Sequence, residues 1–204
     1  MIDEVPSIWL EAINRPDPTL VDALGGSGAL DYRIKPAIAE QWSFCGVAVT
    51  CDCGPADNLA LIHSLKVLQA GDVIVAATGQ HLQCAVTGDL VLGMARNAGA
   101  IGFVTDGCVR DLPGLRAVGL PAYCMGITPN SPHRSGPGSV GFPVTIAGHP
   151  VSSGDVIIAD QDGVVIIPKA ALQRVIDRLP AIRQAEAQAD QSVRDGARLP
   201  GFLK

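Results

Sequence analysis

Three short runs decide what this chain can fold into: residues 44–50 (FCGVAVT), 72–77 (DVIVAA) and 101–105 (IGFVT). Each is almost wholly apolar, rich in Val and Ile, and too brief for a helix. A strand with one face in water alternates apolar and polar residues. A continuous apolar run instead needs cover on both faces, as strands of a parallel sheet have. Helical segments lie between them. Asp57 precedes a stretch from Asn58 to Ala70, with Leu59, Leu61, Ile62, Leu65 and Leu68 on one face and Gly71 ending it. A second helix is expected from Leu90 to Asn97, stopped near Gly99, and a short one from Leu112 to Val118.

Further elements complete a mixed sheet. Short helices are expected at Pro6 to Asn14 and Thr19 to Leu24, and a strand over Pro121 to Met125. Residues 139–167 change character: Val144–Ile146, Val156–Ile158 and Val164–Ile167 are β runs parted by glycine turns, the pattern of antiparallel hairpins. The tail from Lys169 to Asp195 is helical in pattern, with Leu172, Val175, Ile176 and Leu179 on one face. Pro180 is expected to interrupt it. No linker parts the chain, so residues 1–204 read as one α/β domain, with a core over 20–168 and a helical tail over 169–204.

Composition narrows the function. The 204 residues are 48% hydrophobic and 17% charged, which excludes a disordered chain. Lys and Arg number 15 against 20 acids, a net charge of −5 without a basic stripe, so no nucleic-acid groove is expected. No apolar run reaches the ~20 residues of a membrane span, and the acidic opening MIDEVPSIW is unlike a secretory signal. A cytoplasmic, soluble protein is expected. Of the six cysteines only Cys51 and Cys53 are close-spaced, and all six read as free thiols.

The chemistry-bearing block is Thr87-Gly88-Asp89-Leu90-Val91, followed by Thr105 through Arg110-Asp111. A glycine-led helix start leaves the N–H groups of Leu90 and Val91 open to a carboxylate or phosphate. An arginine after a buried strand can present a two-pronged donor to a carboxylate, and the adjacent Asp111 is a hard oxygen ligand suited to Mg²⁺. The same residues also read as a helix-start acid and a solvated turn with a surface ion pair. His63 reads as a helix-surface or interface residue rather than a ligand, and His81, just before the site helix, as a surface residue with lining the pocket as the alternative; Asp57 reads as a helix cap, and Asp106 as a turn residue. Residues 131–138 (SPHRSGPG) read as a surface loop, with His133 or Arg134 reading a second carboxylate as the alternative.

This block resembles the RraA-like family, whose pattern is Asp, twenty residues, then Arg-Asp, matched by Asp89 and Arg110-Asp111. Further matches include residues 21–25 (VDALG), Asp57-Asn58, residues 126–129 (GITP), Gly154-Asp155 and residues 162–165 (DGVV). The family holds class II 4-hydroxy-4-methyl-2-oxoglutarate and 4-carboxy-4-hydroxy-2-oxoadipate aldolases and a regulator of ribonuclease E. The resemblance implies a layered α/β/β/α sandwich, like the swivelling phosphohistidine domains, with a C-terminal helix. It implies that Asp111 holds Mg²⁺ or Mn²⁺, with a tail acid of a neighbouring subunit acting through water, Glu186 being the candidate and Asp190 and Asp195 the alternatives. Arg110, Gly88 and the amides of Leu90 and Val91 would bind a 2-oxo acid, and Asp89 would manage a proton through water. Implied too are cleavage to pyruvate and a second 2-oxo acid, oxaloacetate decarboxylation as a side activity, and a homotrimer or hexamer. Inhibition of an RNA-degrading enzyme is the alternative the family offers.

Overall fold

A computed structural model describes residues 19–40 and 43–203. The expected helix from Pro6 to Asn14 lies outside them. The helices are α1 (Thr19–Ala23), α2 (Leu59–Ser64), α3 (Asp89–Asn97), α4 (Leu112–Val118) and α5 (Leu172–Arg194). The strands are β1 (Lys35–Pro36), β2 (Phe44–Asp52), β3 (Asp72–Ala77), β4 (Ala85–Thr87), β5 (Gly102–Thr105), β6 (Cys108–Val109) and β7 (Ala122–Cys124). They continue with β8 (Gly126–Ile127), β9 (Ser139–Val140), β10 (Val144–Ile146), β11 (His149–Val151), β12 (Val156–Ala159) and β13 (Val164–Ile167).

The main sheet runs β1-β7-β5-β3-β2-β12-β13, with β9 also on β2. Strands β2, β3, β5 and β7 are parallel, in the register Val49 to Ile74 to Phe103. The others join antiparallel, so the sheet is mixed as expected. The apolar run of β3 is explained by its position: Ile74 and Ala76 pack with Leu61, Leu92 and Leu115 of three helices. Its alternate residues Val73, Val75 and Ala77 pack with Val144, Ile146 and Val151 of the β10–β11 hairpin. A third cluster sets Leu20, Leu172, Val175 and Leu179 of α1 and α5 on Val156, Ile158 and Ile167. Burying each such side chain contributes about 1.5–3 kcal/mol, which is why the charges of these strands, Asp52 and Asp72, stand at their ends. The outcome is a mixed α/β domain closed by a C-terminal helix.

Three elements differ from their local signals. Residues 121–125 are not one strand. The chain leaves the main sheet at Met125, whose N–H bonds the Gly107 carbonyl, and enters a small parallel sheet ordered β4-β6-β8. Helix α2 ends at Ser64 rather than Ala70, because Lys66 and Val67 bond back only three residues, to His63 and Ser64. Leu65 and Leu68 still pack on the core from these turns. Helix α5 runs through Pro180 without interruption. Pro180 is exposed, so water can serve the carbonyl its missing N–H leaves, while buried Leu172, Val175 and Leu179 hold the first half in place.

The passage from β5 to β6 is anchored by a buried carboxylate. Asp106 accepts hydrogen bonds from the N–H and hydroxyl of Thr78 (2.7 and 2.9 Å), from Gln80 N–H (3.1 Å) and from Ala147 N–H (3.3 Å). Asp106 is thus a turn residue with a structural task. Among the described residues no helix is long and apolar enough to cross a membrane.

Candidate active site

The small sheet places the site. In the parallel β4–β6 pair, Thr87 stands beside Val109, and Arg110 N–H continues the ladder onto the Thr87 carbonyl at 3.1 Å. Each strand leads straight into a helix, β4 through Gly88 into α3 and β6 through Arg110-Asp111 into α4. The 20 residues between Asp89 and Arg110 are therefore the rest of α3, the two strands β5 and β6, and the turns that join them. Ligands of open parallel sheets bind beyond the carboxyl ends of the strands, which is where these residues converge.

They line one cleft of about 220 Å³. Its walls include Thr87, Gly88, Asp89, Leu90, Val91, Arg110 and Asp111, together with Asn58, Ser131, Pro132 and Arg134. Drug-sized ligands occupy roughly 300–1,000 Å³, so this space suits a small acid. A larger cavity of about 320 Å³ lies between α1 and the 160–163 turn. Its walls are apolar residues with Asp22, Asp31, Asp160 and Asp162, and include no lysine or arginine.

Asp111 sits at the start of α4 in the left-handed region, with φ 65° and ψ 46°. An aspartate tolerates this backbone better than most residues, at a cost of about 1 kcal/mol or more. Its carboxylate accepts a hydrogen bond from Arg110 Nε at 3.1 Å, and Arg110 donates a second from its terminal nitrogen to Ser131 Oγ at 2.5 Å. The guanidinium is thus held on two sides. Both side chains keep more than a third of their surface in water (36% and 40%), so a ligand can reach them. Gly88 makes this possible: a Cβ there would fall 3.1 Å from Arg110 Cγ and 3.2 Å from Asp111 Cγ, and inside contact distance of Asp111 Oδ2.

Asp89 opens α3. Its Oδ1 accepts the Leu90 N–H at 2.7 Å, so one of the two expected open amides is occupied by its own neighbour. The remaining wall of Asp89 is Gly114 of α4, where a Cβ would stand 2.6 Å from both Asp89 Cβ and Cγ. Gly114 carries no local motif, and only the close packing of α3 on α4 reveals its place.

Residues 131–138 are more than a surface loop. Asp57 Oδ2 accepts the N–H groups of Ser135 (2.6 Å) and Gly136 (3.1 Å), while its Oδ1 accepts Leu59 N–H (2.8 Å) at the start of α2. Burial raises the Asp57 pKa, but these three donors outweigh it and hold the carboxyl below its ordinary value. Asp57 therefore caps the helix and pins the loop as well. Asn58 beside it is buried, gives its amide N–H to the Val86 carbonyl at 3.0 Å, and leaves Oδ1 without a partner in the cleft wall.

Other expected residues stand apart. Glu186 is on the exposed outer half of α5 and does not line the cleft; His63 is exposed, and His81 is not in the wall either. All six cysteines are free, and burial pushes Cys45 up to about 12 and Cys124 to about 11, which keeps both as inert thiols.

Fold and cleft together define an α/β domain whose polar site sits at the ends of short parallel strands. The RraA-like family model, Aldolase/RraA, matches residues 17–166, and the chain belongs to the RraA-like family. It is 35% identical over 182 residues to a Halalkalibacterium halodurans protein named "Putative 4-hydroxy-4-methyl-2-oxoglutarate aldolase", covering 89% of this chain and 84% of that one. Among solved structures it is similar to a Streptomyces coelicolor protein described as an unusual member of the RNase ES inhibitor RraA family. That likeness has a TM-score of 0.81 and 25% identity over 92% of this chain and 99% of the other. A Thermus RNA-processing inhibitor RraA aligns with TM-score 0.67 and 29% identity, over 74% and 90%.

Proposed function

We propose that this chain is a divalent-metal-dependent class II aldolase. It would cleave a 4-hydroxy-2-oxo acid of the 4-hydroxy-4-methyl-2-oxoglutarate type to pyruvate and a second 2-oxo acid, with oxaloacetate decarboxylation as a side activity. The observation that carries this reading is the shared cleft of Asp89, Arg110 and Asp111, with Gly88 giving the Asp111 carboxylate room. The aldolase-named relative supports it.

The donor set fits Mg²⁺ or Mn²⁺. Asp111 offers one accessible carboxylate, and the described residues contain no group of three or more His, Cys, Asp or Glu able to hold a metal. A hard cation that keeps most of its waters needs no more, whereas Zn²⁺ favours nitrogen and sulfur ligands. Bound at Asp111, such an ion would supply Lewis-acid polarisation of the 2-oxo group.

The chain's own residues do the rest. Arg110, held by Ser131 and Asp111, would donate to the 2-oxo acid's oxygens, and the first-turn N–H of Val91 would face its carboxylate. The Leu90 N–H joins when Asp89 turns away from it. Cleavage would pass the C4 hydroxyl proton to the water beside Asp89 and break C3–C4, leaving the electron pair on the pyruvate fragment. Asp89 would orient the water that returns a proton to C3.

Assembly as a trimer or hexamer is part of the proposal. Leu90 in the cleft wall, Met94 on the same helix and Ile127 on β8 are exposed, and so are the described residues of α5 beyond 183. A neighbouring subunit there would bring Glu186 towards the site. Six free thiols suit the reducing cytoplasm. Likeness to the two RraA structures supports a second reading, a protein that binds and inhibits an RNA-degrading enzyme. A coupled assay for pyruvate with and without Mg²⁺ separates them: release from a 4-hydroxy-2-oxo acid supports the aldolase, and its absence alongside stable binding to a ribonuclease supports the inhibitor.

A further inference from the structure

Helix α5 ends in a folded knob that its own chain leaves uncovered. Ala197 N–H bonds the Ser192 carbonyl (2.9 Å), and Leu203 N–H closes a further turn on the Pro200 carbonyl (3.0 Å). Leu199, Phe202 and Leu203 are all exposed on this knob, Phe202 to 84%. Ile182 is the last described residue of α5 packed against the α1 cluster. At about 1.5 Å per residue the helix then runs roughly 18 Å further to Arg194, which carries the knob clear of α1. Residues 196–204 (GARLPGFLK) hold two bases and no acid, and Arg198 forms no ion pair with any described residue.

The cavity between α1 and the 160–163 turn has the opposite character. Leu20, Leu30, Ile158 and Val164 are among its apolar walls, with Tyr32, itself 80% exposed. An apolar space of about 150 Å³ holds a benzene ring, so about 320 Å³ takes a phenylalanine ring with room beside it. Asp31 in its wall is paired with Arg33 at 2.8 Å. Asp22, Asp160 and Asp162 have no ion-pair partner among the described residues. Their turn is fixed, because Asp160 accepts the N–H groups of Asp162 (2.8 Å) and Gly163 (3.2 Å), while Lys35 bonds the Asp162 carbonyl (2.5 Å) without lining the cavity.

We infer that this cavity is the docking site for the knob of a second copy of the chain, with Phe202 in the apolar space and Arg198 against the free carboxylates. Charge selects the occupant. Exposed Leu90 shares its cleft wall with Arg110 and Arg134, which would repel an arginine-bearing knob. Residues 1–18 carry four acids against one arginine, a poor match for an acidic rim. Knob and cavity are different patches, so each copy gives one tail and receives one, as in a closed ring. The inference goes beyond the proposed trimer or hexamer by naming the parts that meet, and it rests on no catalytic step.

The test places a benzophenone-bearing phenylalanine at position 202 of the full chain and irradiates the protein. A denaturing gel separates cross-links between chains from those within one, and mass spectrometry maps the residues joined. Cross-linked pairs of chains should appear, joining residue 202 to residues 20–32 or 158–165. Cross-links within one chain, to residues 1–18, to the start of α3, or none at all would overturn the inference. Sedimentation at falling concentration reads the seam itself. Phe202→Ser should weaken assembly by about ten-fold or more, and Arg198→Glu by about three-fold or more. Parental assembly in Phe202→Ser overturns the docking, and parental assembly in Arg198→Glu overturns the charge match. If the tail docks here but no 4-hydroxy-2-oxo acid yields pyruvate, the interface stands and the aldolase reading fails.

Discussion

Replacing Gly114 by alanine sets helix propensity against the site. Gly114 lies inside α4, where alanine would ordinarily stabilise by about 1 kcal/mol. Its new Cβ, however, would stand 2.6 Å from Asp89 Cβ and Cγ, against 3.4 Å for ordinary contact. The Cβ–Cβ part of the difference, about 0.8 Å, has to be met by α3 and α4 moving apart, because a new rotamer moves the Asp89 carboxylate but not its Cβ. The carboxylate, closer still to the new atom, must also turn and so breaks the 2.7 Å bond from Leu90 N–H to Asp89 Oδ1, at a cost of about 1 kcal/mol. Overpacking adds about 1–3 kcal/mol to that loss, so the melting temperature should fall by several degrees while the protein stays folded. Activity should not be spared. Misplacing a catalytic group by about 1 Å can cost on the order of 10²-fold, and in the proposed reaction Asp89 would handle a proton rather than bind, so the loss should fall on kcat with KM little changed. Pyruvate release followed beside thermal unfolding reads both. A folded Gly114→Ala protein with parental kcat would refute the assignment of Asp89, and a loss confined to KM would move it to binding.

Other perturbations touch the remaining residues. Gly88→Ala should push the Asp111 carboxylate aside and lower Mg²⁺ affinity by about ten-fold or more, read by metal titration, because the Cβ has no room beside Asp111 and Arg110; unchanged affinity would count against Asp111 as the ligand. Arg110→Lys should keep the fold and lose about 10²-fold in kcat/KM, since an ammonium cannot bond Ser131, Asp111 and substrate as a planar fork does. Asp57 has a lowered folded pKa, so its contribution to stability is present above the ordinary value of 3.8 and is lost as pH falls through the folded value. The melting-temperature gap between wild type and Asp57→Asn should therefore narrow from about pH 5 to about pH 3; a gap that widens on acidification would contradict the sign.

Much of this was legible in the residues because it is local. The doubly covered strands announce themselves as apolar runs, and β3 is buried on both faces as its Val and Ile content requires. Gly88 marks a helix start, and Arg110-Asp111 follows a buried strand. Their meeting was legible from the family pattern but not from physics alone, since it depends on the parallel pairing of β4 with β6. What stayed hidden is carried by long-range contacts. Asp57 has enough reason to exist as a cap, and its bond to Ser135 spans 78 residues. Gly114 looks like an ordinary helix weakness until α3 lies against it. Pro180 gave a correct local rule and a wrong outcome, because the rule costs one hydrogen bond and the buried face of α5 outweighs it.

The central claim is that one carboxylate, Asp111, makes this cleft a metal-dependent carbon–carbon lyase site. The most direct measurement is pyruvate release from 4-hydroxy-4-methyl-2-oxoglutarate by protein stripped with chelator, then titrated with Mg²⁺, for wild type and Asp111→Asn in parallel. The account predicts no release from the stripped protein, recovery with Mg²⁺ or Mn²⁺ in wild type, and none in a folded Asp111→Asn variant. Full activity in excess chelator, or Mg²⁺ recovery in Asp111→Asn equal to wild type, would contradict it.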